Sequence, residues 1–193
     1  MLENKLETFC PTSQKDWRKW LKKNHIVKNS IWLIYHKKNT GIPSISWSDA
    51  VDVALCFGWI DSKLVPINEK QFMQFFCKRK LTSVWSKINK DKVQSLAEKG
   101  LMEKAGYASI EVAKQNGSWT ILDNVEALII PADLKAAFKK TAGSKEYYLS
   151  LSKSIRKAIL QWIEVAKRTE TRQKRISEVV ELAAQKLKPK QLR

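Results

Sequence analysis

Three short runs of β-branched and aromatic residues, at positions 31–35, 59–66 and 72–78, interrupt a chain whose apolar residues otherwise recur at helical spacing. Three strands make a small sheet rather than a barrel or sandwich, so most of the core must come from helix faces. The pattern predicts an α+β protein dominated by helices. A small three-stranded sheet is flanked by helices and followed by a helical subregion at the carboxyl end. Pro131 punctuates the least readable stretch. Residues 1–130 are therefore read as the α+β region. Residues 131–193 are read as a helical module expected to pack on it.

Local signals place the helix ends. Thr12 or Ser13 can cap a helix running to about Asn24, with Trp17, Trp20 and Leu21 on one face. The run at 31–35, Ile-Trp-Leu-Ile-Tyr, is apolar throughout and predicts a strand buried on both faces. Ser46 caps the next helix, with Asp49 in a capping-box-like position. Trp47, Val51, Ala54, Leu55 and Gly58 share a face, and Gly58 ends the helix. Thr82 or Ser83 is expected to cap a helix with Trp85, Ile88, Val93, Leu96 and Ala97 as its apolar stripe, stopped by Gly100. Another helix spans 103–116. Beyond Pro131 the spacing predicts helices at 132–141 and 144–150. A third is capped by Ser152 and buries Ile155, Ile159, Trp162, Ile163 and Ala166. A fourth is capped by Thr169 and buries Ile176, Val179, Val180, Ala183 and Leu187.

Composition restricts function more by exclusion. Cys10, Cys56 and Cys77 form no Cys-x-x-Cys, and His25 and His36 sit in no metal-ligand spacing, so no metal or cofactor is expected. Unpaired cysteines, an amino terminus without a continuous apolar core and the lack of a run long enough to span a bilayer place the expected location in the cytoplasm. The net charge is +17, and from Lys135 onward 16 Lys and Arg stand against 5 Asp and Glu. Such a surface favours an acidic protein, an anionic ligand or a nucleic acid, with a purely solubilising role as the bland counterpart.

With six Gly and two His, the chain offers no glycine cradle for phosphate and little scope for His-based catalysis. No catalytic residue is assigned, and the reading leans away from an enzyme. The densest polar–aromatic patch supplies a candidate ligand site: Trp59, Asp61, Arg79, Trp85, Ser86 and Asn89. Arg79 could clasp a carboxylate or phosphate near a helix amino terminus. The plainer alternative is an Asp61–Arg79 ion pair, with Ser83 and Ser86 as helix caps. The basic run Lys167, Arg168, Arg172, Lys174 and Arg175 is a candidate polyanion patch if its helix is continuous, or otherwise a solvated face with local ion pairs.

Taken in order, these segments resemble the YdeI/OmpD-associated family, also called bacteriocin-protection proteins. The resemblance rests on Ile42-Pro43-Ser44 with Trp47-x-x-Ala50-x-x-x-Ala54-Leu55-Cys56-Phe57, on Gly58-Trp59-Ile60-Asp61, on the Phe75 to Arg79 segment with Ser83-x-Trp85-Ser86-x-x-Asn89, and on the run from Ala166 to Ile176. It extends from about Trp17 to Leu187. It implies a cytosolic, non-enzymatic accessory protein of stress or antimicrobial-peptide resistance, without established catalytic residues. The readings that remain beside it are a basic nucleic-acid-binding or regulatory protein, and an anionic small-ligand binder or enzyme with a pocket near Trp59, Asp61, Arg79 and Trp85.

Overall fold

The computed structural model describes residues 7–192. These fall into two compact units, divided between Trp119 and Thr120.

The first unit contains the sheet. Its strands are β1 (Thr8–Phe9), β2 (Ser30–His36), β3 (Trp59–Pro66) and β4 (Gln71–Lys78), in the order β1-β2-β4-β3. The sheet has four strands, not the expected three. The additional strand is only two residues long, too short to carry a periodic signal, and pairs in parallel with β2 through Thr8↔Trp32 and Phe9↔Leu33. The other pairings are antiparallel. Ile31 stands opposite Phe76, and Leu33 opposite Gln74. A shift in register between Asp61 and Leu64 bends the edge strand β3.

β2 is buried on one face rather than both. Ile31, Leu33 and Tyr35 are buried, whereas Trp32 and Ile34 between them are half-buried. The helices α1 (Gln14–Asn24) and α2 (Trp47–Cys56) pack on each other, and α2 packs on β3. Trp17 of α1 meets Phe76 of β4 edge-on, with ring centroids 5.6 Å apart. Trp17 also donates from its indole to the Ala50 carbonyl at 3.0 Å, which satisfies its polar end inside the core. Ser13 and Ser46 cap α1 and α2 by accepting from the backbone N–H three residues on. Trp47 is not on the buried face of α2. It stands in the first turn of the helix and is half-exposed.

The next helix, α3 (Lys87–Glu98), begins later than expected. Its cap is Ser86, not Thr82 or Ser83, and Ser86 Oγ accepts from Asn89 N–H. Trp85 therefore precedes the helix and is buried on its own account, whereas Ile88 in the first turn is exposed. Helix α4 (Lys104–Gln115) crosses close to the end of α2. Gly106 permits this approach, since a Cβ there would run into the Cys56 carbonyl. Gly58, at φ +70°, turns the chain from α2 into β3.

The second unit is helical: α5 (Asp123–Glu126), α6 (Ala132–Lys140), α7 (Ser144–Ser150), α8 (Lys153–Glu164) and α9 (Thr169–Ala184). α9 packs against α6, α7 and α8, burying Ile176, Val179, Val180 and Ala183. Leu187 lies past the end of α9 and is exposed. Ser152 caps α8 as expected. The buried residues of α8 are Ile159, Leu160 and Ile163, with Ile155, Trp162 and Ala166 only half-buried. Arg168, not Thr169, occupies the cap position of α9 and makes no side-chain cap bond. Among the described residues, no helix is long and apolar enough to cross a membrane.

Candidate functional site

The six residues singled out around the sheet end separate into three local arrangements. Trp59 is fully buried at the start of β3 and meets Trp20 edge-on, 5.9 Å between centroids, and among the described residues its indole N–H has no hydrogen-bond partner. Asp61 accepts from the Trp47 indole at 2.9 Å and from the Gln74 amide at 3.0 Å, both on Oδ2. Gln74 is itself buried in the sheet centre and also donates to the Ser62 carbonyl at 3.0 Å. Asp61 is thus a fixture of the α2–sheet junction. Among the described residues, it forms no ion pair with Arg79.

Arg79 and Trp85 form the second arrangement. The guanidinium carbon lies 3.7 Å from the centre of the Trp85 ring, and Nη2 donates to the Val84 carbonyl at 2.8 Å. Nε and Nη1 are enclosed and, among the described residues, make no hydrogen bond. Burial lowers the guanidinium to about 10, against the opposing pull of the Asp61 charge. The cavity beside it, lined by Arg79, Trp85, Ser109 and Ala113, measures about 30 Å³. That is room for a single water rather than a metabolite. Trp85 also packs against Trp119, 5.0 Å between centroids. Ser86 and Asn89 form the third arrangement, the cap of α3, where the contact runs from the Asn89 backbone to the Ser86 hydroxyl.

The basic run divides in two. Arg172 is a connector inside the second unit. Nε and Nη2 bind Asp133 of α6 at 2.6 and 3.2 Å, and Nη1 binds Glu164 of α8 at 3.0 Å. The Arg172 hydrogen bond holds the Asp133 carboxyl below the usual carboxylate range, and Asp133 in turn raises Arg172. Arg175 donates to the Trp162 carbonyl and stands 5.1 Å from the Trp162 ring centre. Lys167, Arg168 and Lys174 remain exposed.

One charge-bearing concavity of the first unit involves residues that sequence reasoning passed over. A cleft of about 540 Å³ opens between α1, α2 and the end of α3. α1 lines it with Lys15 and Arg18, and α2 with Asp49 and Asp52. Its floor is Val53, Cys56 and Leu96, and Lys99 stands at the rim. Arg18 Nη2 bonds Glu103 at 2.7 Å and the Leu101 carbonyl at 2.8 Å. Lys92 pairs with Asp52 and donates to Ser48 Oγ at 3.0 Å. Burial pushes the Cys56 thiol up, while Arg18 beside it acts in the opposite direction. The available signal was helical spacing: Asp49, Asp52, Val53 and Cys56 fall on one face of α2. What the spacing could not convey is that α1 would present cations to that face. Among the described residues, no group of three or more His, Cys, Asp and Glu is placed to hold a metal.

Two family models match the chain. Residues 9–109 match a family described as a domain of unknown function, DUF8412, and the chain belongs to that family. Residues 127–186 match the family described as bacteriocin-protection, YdeI or OmpD-associated. The resemblance to that second family is therefore shown for the helical unit. The motifs around Gly58 to Asn89 lie in the segment matched by DUF8412. No curated protein and no solved structure matches the chain.

Proposed function

We propose that this protein is a cytoplasmic accessory factor of stress tolerance that protects cells against bacteriocins or cationic antimicrobial peptides, acting by contact with an acidic partner rather than by catalysis. The observation that carries this reading is the match of residues 127–186 to the bacteriocin-protection family. The charge supports an indirect route. A chain of net charge +17 repels cationic peptides at long range, so sequestering them is disfavoured, and an acidic cellular protein is the partner this surface attracts. Lys167, Arg168 and Lys174 are free to meet such a partner because they lie exposed beside the internally engaged Arg172 and Arg175. The test is the susceptibility of cells lacking the gene to a cationic bacteriocin, run alongside a titration of the labelled peptide with purified protein. Heightened susceptibility without direct binding supports the reading. Unchanged susceptibility opposes it, and saturable binding of the peptide opposes the indirect route.

A further inference from the structure

We propose that the cleft between α1 and α2 binds a small zwitterion, a free apolar amino acid or a short peptide with both termini unblocked. The cleft's volume, about 540 Å³, lies in the range of small-ligand sites, and its floor of Val53 and Leu96 suits an apolar body.

The ligand class follows from how charge is divided between the walls. Lys15 and Arg18 belong to α1, and Asp49 and Asp52 to α2. Lys99 adds a cation two residues before the Leu101 carbonyl that Arg18 holds. Among the described residues, no ion pair closes the gap, and the Asp49 carboxylate has no hydrogen-bond donor to its oxygens. Opposite charges therefore face each other across open volume. The part-buried pairs Arg18–Glu103 and Lys92–Asp52 hold the walls in place, with side chains between 21% and 35% exposed. Fixed charges at a partly enclosed site act more strongly than charges in open water.

With Arg18 paired to Glu103 and Asp52 to Lys92, a simple anion entering the cleft would still meet the Asp49 carboxylate, and a simple cation would meet Lys15 and Lys99. Only a molecule with both charges can satisfy both walls, its carboxylate toward α1 and its ammonium toward Asp49. Specificity then comes from repulsion of singly charged analogues as much as from attraction.

The experiment titrates the full chain with leucine, phenylalanine and dileucine, and with N-acetyl-leucine and leucine amide as the singly charged counterparts. Binding is read by calorimetry and by backbone amide shifts of residues 14–18 and 49–56. At least one zwitterion should bind and move those amides, and both blocked leucine analogues should bind about tenfold more weakly or worse, the loss expected for one charged contact. Asp49→Asn, which alters a carboxylate outside the fold's internal bonds, should weaken zwitterion binding by a similar factor. Lys15→Gln, at an exposed site, should do so from the other wall. No zwitterion binding at millimolar concentration, or a blocked analogue binding as tightly as its parent, would overturn the proposal. So would binding indifferent to both substitutions.

Discussion

Arg79 sits over the face of Trp85, its guanidinium carbon 3.7 Å from the ring centre, at the junction between β4 and the loop leading into α3. The stack accounts for two residues that looked like parts of a ligand pocket. A planar cation on an indole face gains electrostatic and dispersion energy, and a lysine ammonium cannot reproduce the stacking. Arg79→Ala is expected to lower stability by about 1–3 kcal/mol in chemical denaturation, from the lost stack and the lost bond to Val84. Arg79→Lys should recover less than half. Full recovery by lysine would mean that charge alone, not planarity, matters there.

Gly106 carries the close crossing of α2 and α4. A Cβ at this position collides with the backbone carbonyl of Cys56, and backbone cannot swing aside as a side-chain tip can. Alanine is normally the better helix former, so propensity alone predicts that Gly106→Ala stabilises α4. The collision reverses the sign. Gly106→Ala should cost about 3 kcal/mol, at the upper end for an overpacked core. A variant as stable as the parent in urea would show that the helices separate at little cost.

The alkaline limb of stability should depend on Tyr148. Its ring is buried against Phe138, 5.2 Å between centroids, and among the described residues its hydroxyl makes no hydrogen bond. Burial pushes the phenol from 10.0 to about 12, with Arg156 pulling the other way. A raised folded-state value means that the native protein holds this proton more tightly than the unfolded chain. The contribution is therefore complete below about pH 10 and is lost as pH rises toward about 12. Tyr148→Phe should flatten the loss of stability over that window while changing stability little at neutral pH. Equal slopes for the two proteins would place the alkaline transition elsewhere.

Arg172 ties α6, α8 and α9 together, so its partners should be coupled energetically. A double-mutant cycle of Arg172→Ala and Asp133→Asn is expected to give an interaction energy of about 0.5–2 kcal/mol. Asp133 is held below the usual carboxylate range, so the coupling should be present above the unfolded carboxylate value and fade as pH falls through the lowered one. A cycle that closes to zero at neutral pH would reduce the contact to a solvated pair.

Much of the fold could be read locally, because its signals are local. Ser13, Ser46 and Ser152 each precede an apolar-periodic run, and each caps the helix it was expected to cap. Gly58 ends α2 where a left-handed residue is required. The misreadings have physical causes. Trp85 falls in helical register with Val93 and Leu96, which drew the start of α3 toward Thr82, but its burial comes from Arg79 and Trp119. Thr8 and Phe9 pair through two residues only, a length without periodicity. Arg168, Arg172 and Arg175 looked like one basic face, yet the carboxylates that engage Arg172 come from α6 and α8, outside any local window. The cleft was hidden for a related reason. Lys15 and Arg18 read as an ordinary polar helix face until α2 stands opposite.

The central claim, protection against cationic bacteriocins, is tested most directly by the minimum inhibitory concentration of a cationic bacteriocin. It should be measured in cells lacking the gene, with and without the full chain restored from a plasmid. The account predicts a several-fold drop in that concentration on deletion, recovery with the intact chain, and loss of recovery when Ile163, fully buried in α8, is replaced by Asp. Equal inhibitory concentrations in all strains, with the protein present at normal levels, would contradict it.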